Sequence, residues 1–257
     1  MVLKELESLY RTYNRREFII PDPLQFVWLY EGPADREVVG LIASSLAFGS
    51  VPQIVRSVNW VLRKTPSPAL WVRGANGAAM RAVVRGFRHR FVDADDLQDL
   101  LRGVRRVLTR WGSLRACFVE GLKTDDPTML PALSGLVAAL REGSRRPKNY
   151  LLPSPSLGSA CKRLNLFLRW MVRKDDVDPG VWAPLPQSKL VVPLDAHMHR
   201  IGLRMGFTRR QQGNLRTALE VTEGFRRLCP KDPVRYDFVL THLSMRKDSR
   251  LERFLGD

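Results

Sequence analysis

The sequence predicts an all-α fold, and three observations predict it. Apolar residues recur at i, i+3, i+4 and i+7 in segment after segment along the chain, the spacing of one buried helical face. Runs that alternate apolar and polar residues, as half-buried strands do, are scarce. With 257 residues, 44% of them hydrophobic and 26% charged, the chain can bury a sizeable core as one large domain or as two lobes that share elements.

Helices are expected near residues 3–14, 35–48, 52–64, 94–110, 127–141, 159–173, 196–205, 209–222 and 233–245. In the second, Val38, Leu41, Ile42 and Ser45 repeat at helical spacing, and Gly49 with Pro52 ends it and starts the third. Ahead of the fourth stands a basic run, Arg85, Arg88, His89 and Arg90, which is either a nucleic-acid contact or a solvated face; the acids that follow occupy the helix's first turn. In 159–173, Leu164, Phe167, Leu168 and Met171 form a single apolar stripe, which gathers Lys162, Asn165, Arg169 and Arg173 on the opposite side. That polar side is either wet or turned toward a cleft. In 196–205, Met198, Ile201 and Met205 form a weaker stripe, Gly206 marks the stop, and Gly202 leaves room for a neighbouring backbone. Asp195 takes the N-cap position. Asp237, in the last helix, is either a buried partner for an arginine, the reading preferred here, or part of a pocket. Two irregular stretches, 141–159 and 174–194, are too rich in Gly, Pro and Ser to be helical, and they flank the Lys162 helix. No internal repeat interrupts the chain, so residues 1–257 are expected to form one unit.

Lys and Arg number 42 against 26 Asp and Glu, a net charge of +16 and a pI near 10.6. The cations run from Arg11 to Arg253 through segments that otherwise look folded, which favours a folded surface for a polyanion over a basic tail. Cys117, Cys161 and Cys229 have no paired spacing, which argues against a disulfide scaffold, a zinc ribbon and a four-cysteine iron–sulfur cluster. No signal-like start and no 18-residue apolar run occurs, so a soluble, cytoplasmic protein without membrane contact is expected, nucleoid-associated in a bacterial host. His197 and His199, two apart in a helix, point roughly 200° from one another and no further ligand completes a set, so no metal and no cofactor is expected.

Lys162 in "CKRLNLFLRW" and Asp195 in "VPLDAHMHRI" resemble the lysine that opens the second hairpin helix, and the aspartate that opens the next helix, in the helix-hairpin-helix DNA glycosylases. Within that superfamily the pair is similar to the 8-oxoguanine glycosylase/lyases. The separation of 195 − 162 = 33 residues, and the Lys-x4-Phe-Leu-Arg pattern from Lys162 to Arg169, resemble an archaeal branch. The likeness covers about residues 155–206, extends to the helix pair at 37–58 and touches the final helix. It implies a two-lobed helical glycosylase-like fold with a degenerate helix-hairpin-helix. The lobes would be residues 50–160 and residues 1–49 plus 190–257, with the hairpin in 141–173. It also implies a monomer that acts on double-stranded DNA containing a damaged base.

On that resemblance Lys162 is the nucleophile that attacks C1′ and leaves a Schiff base, from which β-elimination nicks the strand, and Asp195 stabilises positive charge on the sugar. The expected substrate is an oxidised purine, 8-oxoguanine first. Arg145, Arg146, Lys148, Gly158, Ser159, Arg163, His197 and Arg200 are expected to contact DNA. Ser44, Ser45, Phe48, Trp170 and Trp182 are expected to line a pocket for the extruded base; Phe167 is assigned to the core. The chain departs from the resemblance at "LLPSPSLGSACK", which lacks the Leu-Pro-Gly-x-Gly turn, and at Ser44 and Ser45, where many relatives carry glutamines. Those departures support a second reading, a non-catalytic double-stranded DNA-binding protein on the same scaffold; an RNA-associated helical protein is a third.

Overall fold

In the computed structural model, which describes residues 2–144, 146 and 149–256, the chain is predominantly helical, and its sheet is one two-stranded hairpin. Helix α1 spans Val2–Tyr13. A 3-10 segment, Pro23–Leu29, is capped by Asp22 and leads to α2 (Pro33–Ser45) and α3 (Val51–Leu62). Both helices carry proline in the first turn, where its missing N–H has no intrahelical partner to lose. Next come α4 (Pro68–Gly74), α5 (Gly77–Val84), the hairpin β1 (Arg88–His89) and β2 (Val92–Asp93), α6 (Ala94–Trp111), α7 (Leu114–Glu120) and α8 (Leu130–Arg141). The chain ends with α9 (Lys162–Val172), α10 (Ala196–Arg204), α11 (Leu215–Leu228), α12 (Asp237–Met245) and α13 (Ser249–Leu255).

Most elements fall where the periodicity places them. Helices α4, α5, α7 and α13 and the hairpin were not expected. These helices are only seven or eight residues long, too short for a stripe to emerge, and side-chain caps rather than periodicity mark three of their starts: Asn76, Ser113 and Asp248. Helix α11 begins at Leu215 instead of residue 209. The Asn214 carboxamide accepts the Thr217 N–H there, while Thr208 and Arg210 stay in the loop and hold Glu220.

Helix α2 is the shared element. It packs against the 3-10 segment and α9, and also against α3, α4 and α7. At Gly40 a Cβ would stand 2.9 Å from Met171 Cε, so the glycine sets how closely α2 and α9 approach. Helix α6 gathers α4, α5, α7 and α8, and Gly103 brings its backbone against the Leu140 carbonyl of α8. Helix α10 packs against both α11 and α12, and α12 in turn packs against α13 and α1. Gly202 of α10 accommodates a side chain, Val221 of α11, and not the neighbouring backbone that was expected.

The polar side of α9 is not wet. Arg169 and Arg173 are each 2% exposed and sit in a buried ion network. Arg169 pairs with Asp178 at 3.2 Å and with Asp237 at 2.5 Å; Arg173 pairs with Asp175 at 2.8 Å, with Asp232 at 2.9 Å and with Asp178. Burial opposes charge on both guanidinium groups, but the surrounding carboxylates outweigh it and raise them above their ordinary range. Among the described residues no helix is long and apolar enough to cross a membrane.

Candidate active site

Lys162 is the first residue of α9, and Cys161 before it takes the left-handed conformation at φ +46°. Its side chain donates to the Ala47 carbonyl at 3.3 Å, just beyond the end of α2. Asp195 opens α10 and divides its two oxygens. Oδ1 accepts the Met198 N–H at 2.8 Å as the helix cap, and Oδ2 lies 4.0 Å from Lys162 Nζ. Both side chains are about a quarter exposed, open to solvent yet held.

The pair borders a cavity of about 640 Å³, to which Phe48, Arg163, His197, Arg169 and Asp237 also contribute. Burial pushes the Asp237 carboxyl up, and Arg169 offsets this only in part. Asp237 Oδ1 and Arg169 Nη2 are buried and have no hydrogen-bond partner among the described residues, an acceptor and a donor at the same wall. Beside them His242 Nε2 contacts Asp22 Oδ2 at 3.1 Å. Burial would raise Asp22 as well, but the hydrogen bond and charge of His242 hold it below the ordinary carboxylate range.

Aromatic rings meet at one edge of the cavity. Phe48 lies 5.5 Å from Phe91 and 5.1 Å from Tyr150, and those two lie 4.6 Å from each other, centroid to centroid. Phe91, in the hairpin turn, is 57% exposed and Tyr150 46% exposed. His89 fixes the hairpin from below: Nδ1 meets Ser57 Oγ at 2.8 Å and Nε2 meets the Phe48 carbonyl at 2.9 Å. Arg163 stacks over both Phe48 and Tyr150, at 4.9 and 4.2 Å. It also donates to the carbonyls of Ser45 and Tyr150.

Among the residues singled out from sequence, the structure brings Lys162, Asp195, His197, Phe48, Arg163 and Asp237 to the cavity, and Asp237 is both a buried partner of Arg169 and part of the cavity wall. His197 Nδ1 contacts Ser244 Oγ at 2.9 Å, and Arg200 donates to the same hydroxyl at 2.6 Å. Gly158 is exposed, has φ +76° and follows a 3-10 turn at Pro155–Leu157; the Ser159 hydroxyl accepts the Cys161 N–H.

Other residues are placed differently. Trp170 and Trp182 do not reach the cavity. Both are fully buried, with Trp182 against Phe118 and Phe167 and its indole donating to Glu37 at 2.7 Å. Ser44 and Ser45 are also fully buried, because they sit on the core side of α2. Arg163 is 7% exposed and acts as a clamp between α2 and the Tyr150 segment, not as a free phosphate contact. Arg146 is engaged by Asp93, Asp95 and Asp96 at the start of α6, at 3.3, 2.9 and 3.6 Å. Arg145 and Lys148 lie outside the described residues. The basic run divides: His89 is buried, while Arg85, Arg88 and Arg90 are exposed. His199 Nε2 contacts the Arg210 carbonyl.

Sequence reasoning missed Asp22 and His242 as cavity residues and assigned Arg169 no function. Arg169 follows Lys162 by seven residues on one helical face, and that spacing was the available signal.

The chain belongs to the family described as a protein of unknown function, DUF2400, which matches residues 22–246 and so includes every cavity residue but Pro21. No curated protein and no solved structure matches it.

Proposed function

We propose that this protein is a DNA glycosylase with associated strand-nicking activity, which removes an oxidised purine, 8-oxoguanine first, on a two-lobed helix-hairpin-helix scaffold whose hairpin precedes α9. One observation carries the reading: a lysine and a carboxylate from separate helix starts, 4.0 Å apart, at the mouth of a cavity in a chain of net charge +16. A cavity of about 640 Å³ is large enough for an extruded base. Phe48 supplies an apolar wall, and the unpartnered Arg169 Nη2 and Asp237 Oδ1 supply a donor and an acceptor beside it.

In this reading the Lys162 amine forms a bond to C1′ as the C1′–N bond to the base breaks. The bonding pair leaves with the base, which takes up a proton, and the attacking nitrogen loses one. The sugar ring then opens to a Schiff base on Nζ. Loss of a C2′ proton expels the 3′ phosphate and nicks the strand. Asp195 Oδ2 faces the positive charge that develops on the sugar, while its Oδ1 stays fixed on the helix cap. Gly158 and Ser159, ahead of α9, are in this reading the hairpin-turn residues that take a strand phosphate.

The experiment is borohydride trapping on duplex DNA containing 8-oxoguanine, an abasic site or no lesion, with Lys162→Gln as the control. A lesion-dependent covalent adduct that disappears in the variant is expected. An adduct on the abasic duplex alone would keep the lyase and change the lesion. No adduct on any duplex, with salt-sensitive binding intact, would leave the scaffold as a non-catalytic binding protein.

A further inference from the structure

A second groove, of about 760 Å³, runs between α5, α6 and the end of α8 and shares no residue with the Lys162 cavity. Arg102, Arg105, Arg106 and Arg110, all from α6, line it, with Gly77 and Gly143 at its edges. Arg81 of α5 joins them. A Cβ on Gly77 would stand 3.5 Å from Arg102 Nη2 and 3.9 Å from Arg81 Nη1, so both guanidinium groups flank that glycine.

Negative charge at the groove is sparse. Glu142 approaches Arg110 at 3.6 Å, and both side chains are more than half exposed, so this pair is weak. Arg81, Arg102 and Arg105 have no hydrogen bond or ion pair among the described residues. Arg106 gives one Nη2 hydrogen bond to the Leu140 carbonyl at 2.9 Å, and its Nε is buried with no partner among the described residues. Other arginines of this chain, Arg169, Arg173, Arg235 and Arg250, each meet a carboxylate at close range. The acids beside the α6 group, Glu142 near Arg110 and Arg106 and Asp99 near Arg106, are outnumbered by its arginines, so the groove keeps a net positive charge, the condition under which it concentrates a polyanion.

We infer that this groove is a second nucleic-acid contact, which takes successive phosphates of one strand along α6. Arg102, Arg106 and Arg110 recur every four residues, about 6 Å apart along the helix axis, and Arg105, beside Arg106 in the same groove, offers a fourth guanidinium to the strand. Each guanidinium presents a planar fork that matches a phosphate's oxygens. The contact reads no sequence and adds affinity that salt removes. It stands on the groove alone and does not depend on base excision at Lys162.

The test measures binding of an undamaged duplex against salt concentration for the wild-type chain, for Arg102→Gln with Arg105→Gln, and for the matching double lysine variant. Loss of two phosphate contacts is expected to lower the slope of log K against log salt by about 1.8, with the lysine pair restoring most of it. The thermal midpoint of each variant reports whether it folds. On the wild-type chain, modification of Arg102 and Arg105 by an arginine-selective dicarbonyl, followed by peptide mapping, should be slowed by the duplex. An unchanged slope in a folded variant overturns the inference, as does dicarbonyl reactivity that the duplex leaves unaltered. Protection by polyglutamate but not by the duplex would overturn it too, by making the groove a dock for an acidic protein.

Discussion

At the scale of single residues, Asp195 shows how one carboxylate serves two ends. Its Oδ1 closes the start of α10 and its Oδ2 faces Lys162, so the two duties separate by substitution. Asp195→Asn keeps a capping oxygen and loses the charge. If the proposed base excision holds, its rate is expected to fall roughly 100-fold in this variant, with DNA affinity and thermal midpoint nearly unchanged. Asp195→Ala should lose about 1 kcal/mol of stability in addition, read by urea denaturation. His89 is a residue whose tautomer follows from its partners and whose charge follows from burial. The Phe48 carbonyl can only accept, so Nε2 donates to it, and in the neutral ring, the form burial favours, Nδ1 accepts from the Ser57 hydroxyl. Burial lowers its pKa below the ordinary 6.5, partly offset by the Phe48 carbonyl. Between that lowered value and 6.5 the unfolded chain binds more protons than the folded one, so stability rises with pH across this window and is lost as pH falls through it. The thermal midpoint should therefore drop between pH 7.5 and 5.5, and His89→Asn should show a smaller drop. An identical pH dependence in the variant would remove His89 from this role.

At the scale of elements, close approach is set by which glycines have something against them. Gly103→Ala would drive a methyl group into the Leu140 carbonyl of α8, a backbone atom with no rotamer to yield, and is expected to cost about 1–3 kcal/mol in denaturation. Gly135→Ala, on an open face of α8, meets nothing within 4 Å and should instead stabilise by about 0.5–1 kcal/mol. The same contrast explains what was legible in the sequence. Helices α1, α2, α3, α6 and α9 carry long stripes, and Lys162 and Asp195 sit at helix starts that local residues define, so periodicity and capping found them. The hairpin has two residues per strand, below any pattern, and Trp170 and Trp182 look alike in sequence whether they line a cavity or fill a core. Arg169 presented the same difficulty from the polar side. A cation opposite an apolar stripe reads as solvated unless its carboxylates are known, and Asp237 lies 68 residues away.

At the scale of the whole molecule, the buried charges join distant parts of the chain. Arg173, at the end of α9, meets Asp178 in the following loop and Asp232 before α12. Asp175 accepts the Tyr10 hydroxyl of α1 at 2.8 Å. Arg235 and Tyr236 both reach Glu7, and His242 reaches Asp22, so α1 and the segment before α2 are tied to the C-terminal helices. The Arg173 pairs, buried on both sides, add little relative to a well-packed apolar replacement, but removing one member leaves its partners charged, buried and unpaired. Arg173→Met is therefore expected to lose about 3–5 kcal/mol in urea denaturation. Adding Asp178→Leu should recover part of the loss, because one stranded carboxylate goes with it, although Arg169 then gives up its contact to the same aspartate. A loss below about 1 kcal/mol for Arg173→Met would mean that the carboxylates relax into water, and that apolar packing alone holds α1 and α12 together. With the expected loss, one face of α9 does two jobs: at its first turn the open Lys162 end faces the cavity, and three turns on the closed Arg173 end keeps that cavity's far wall in place.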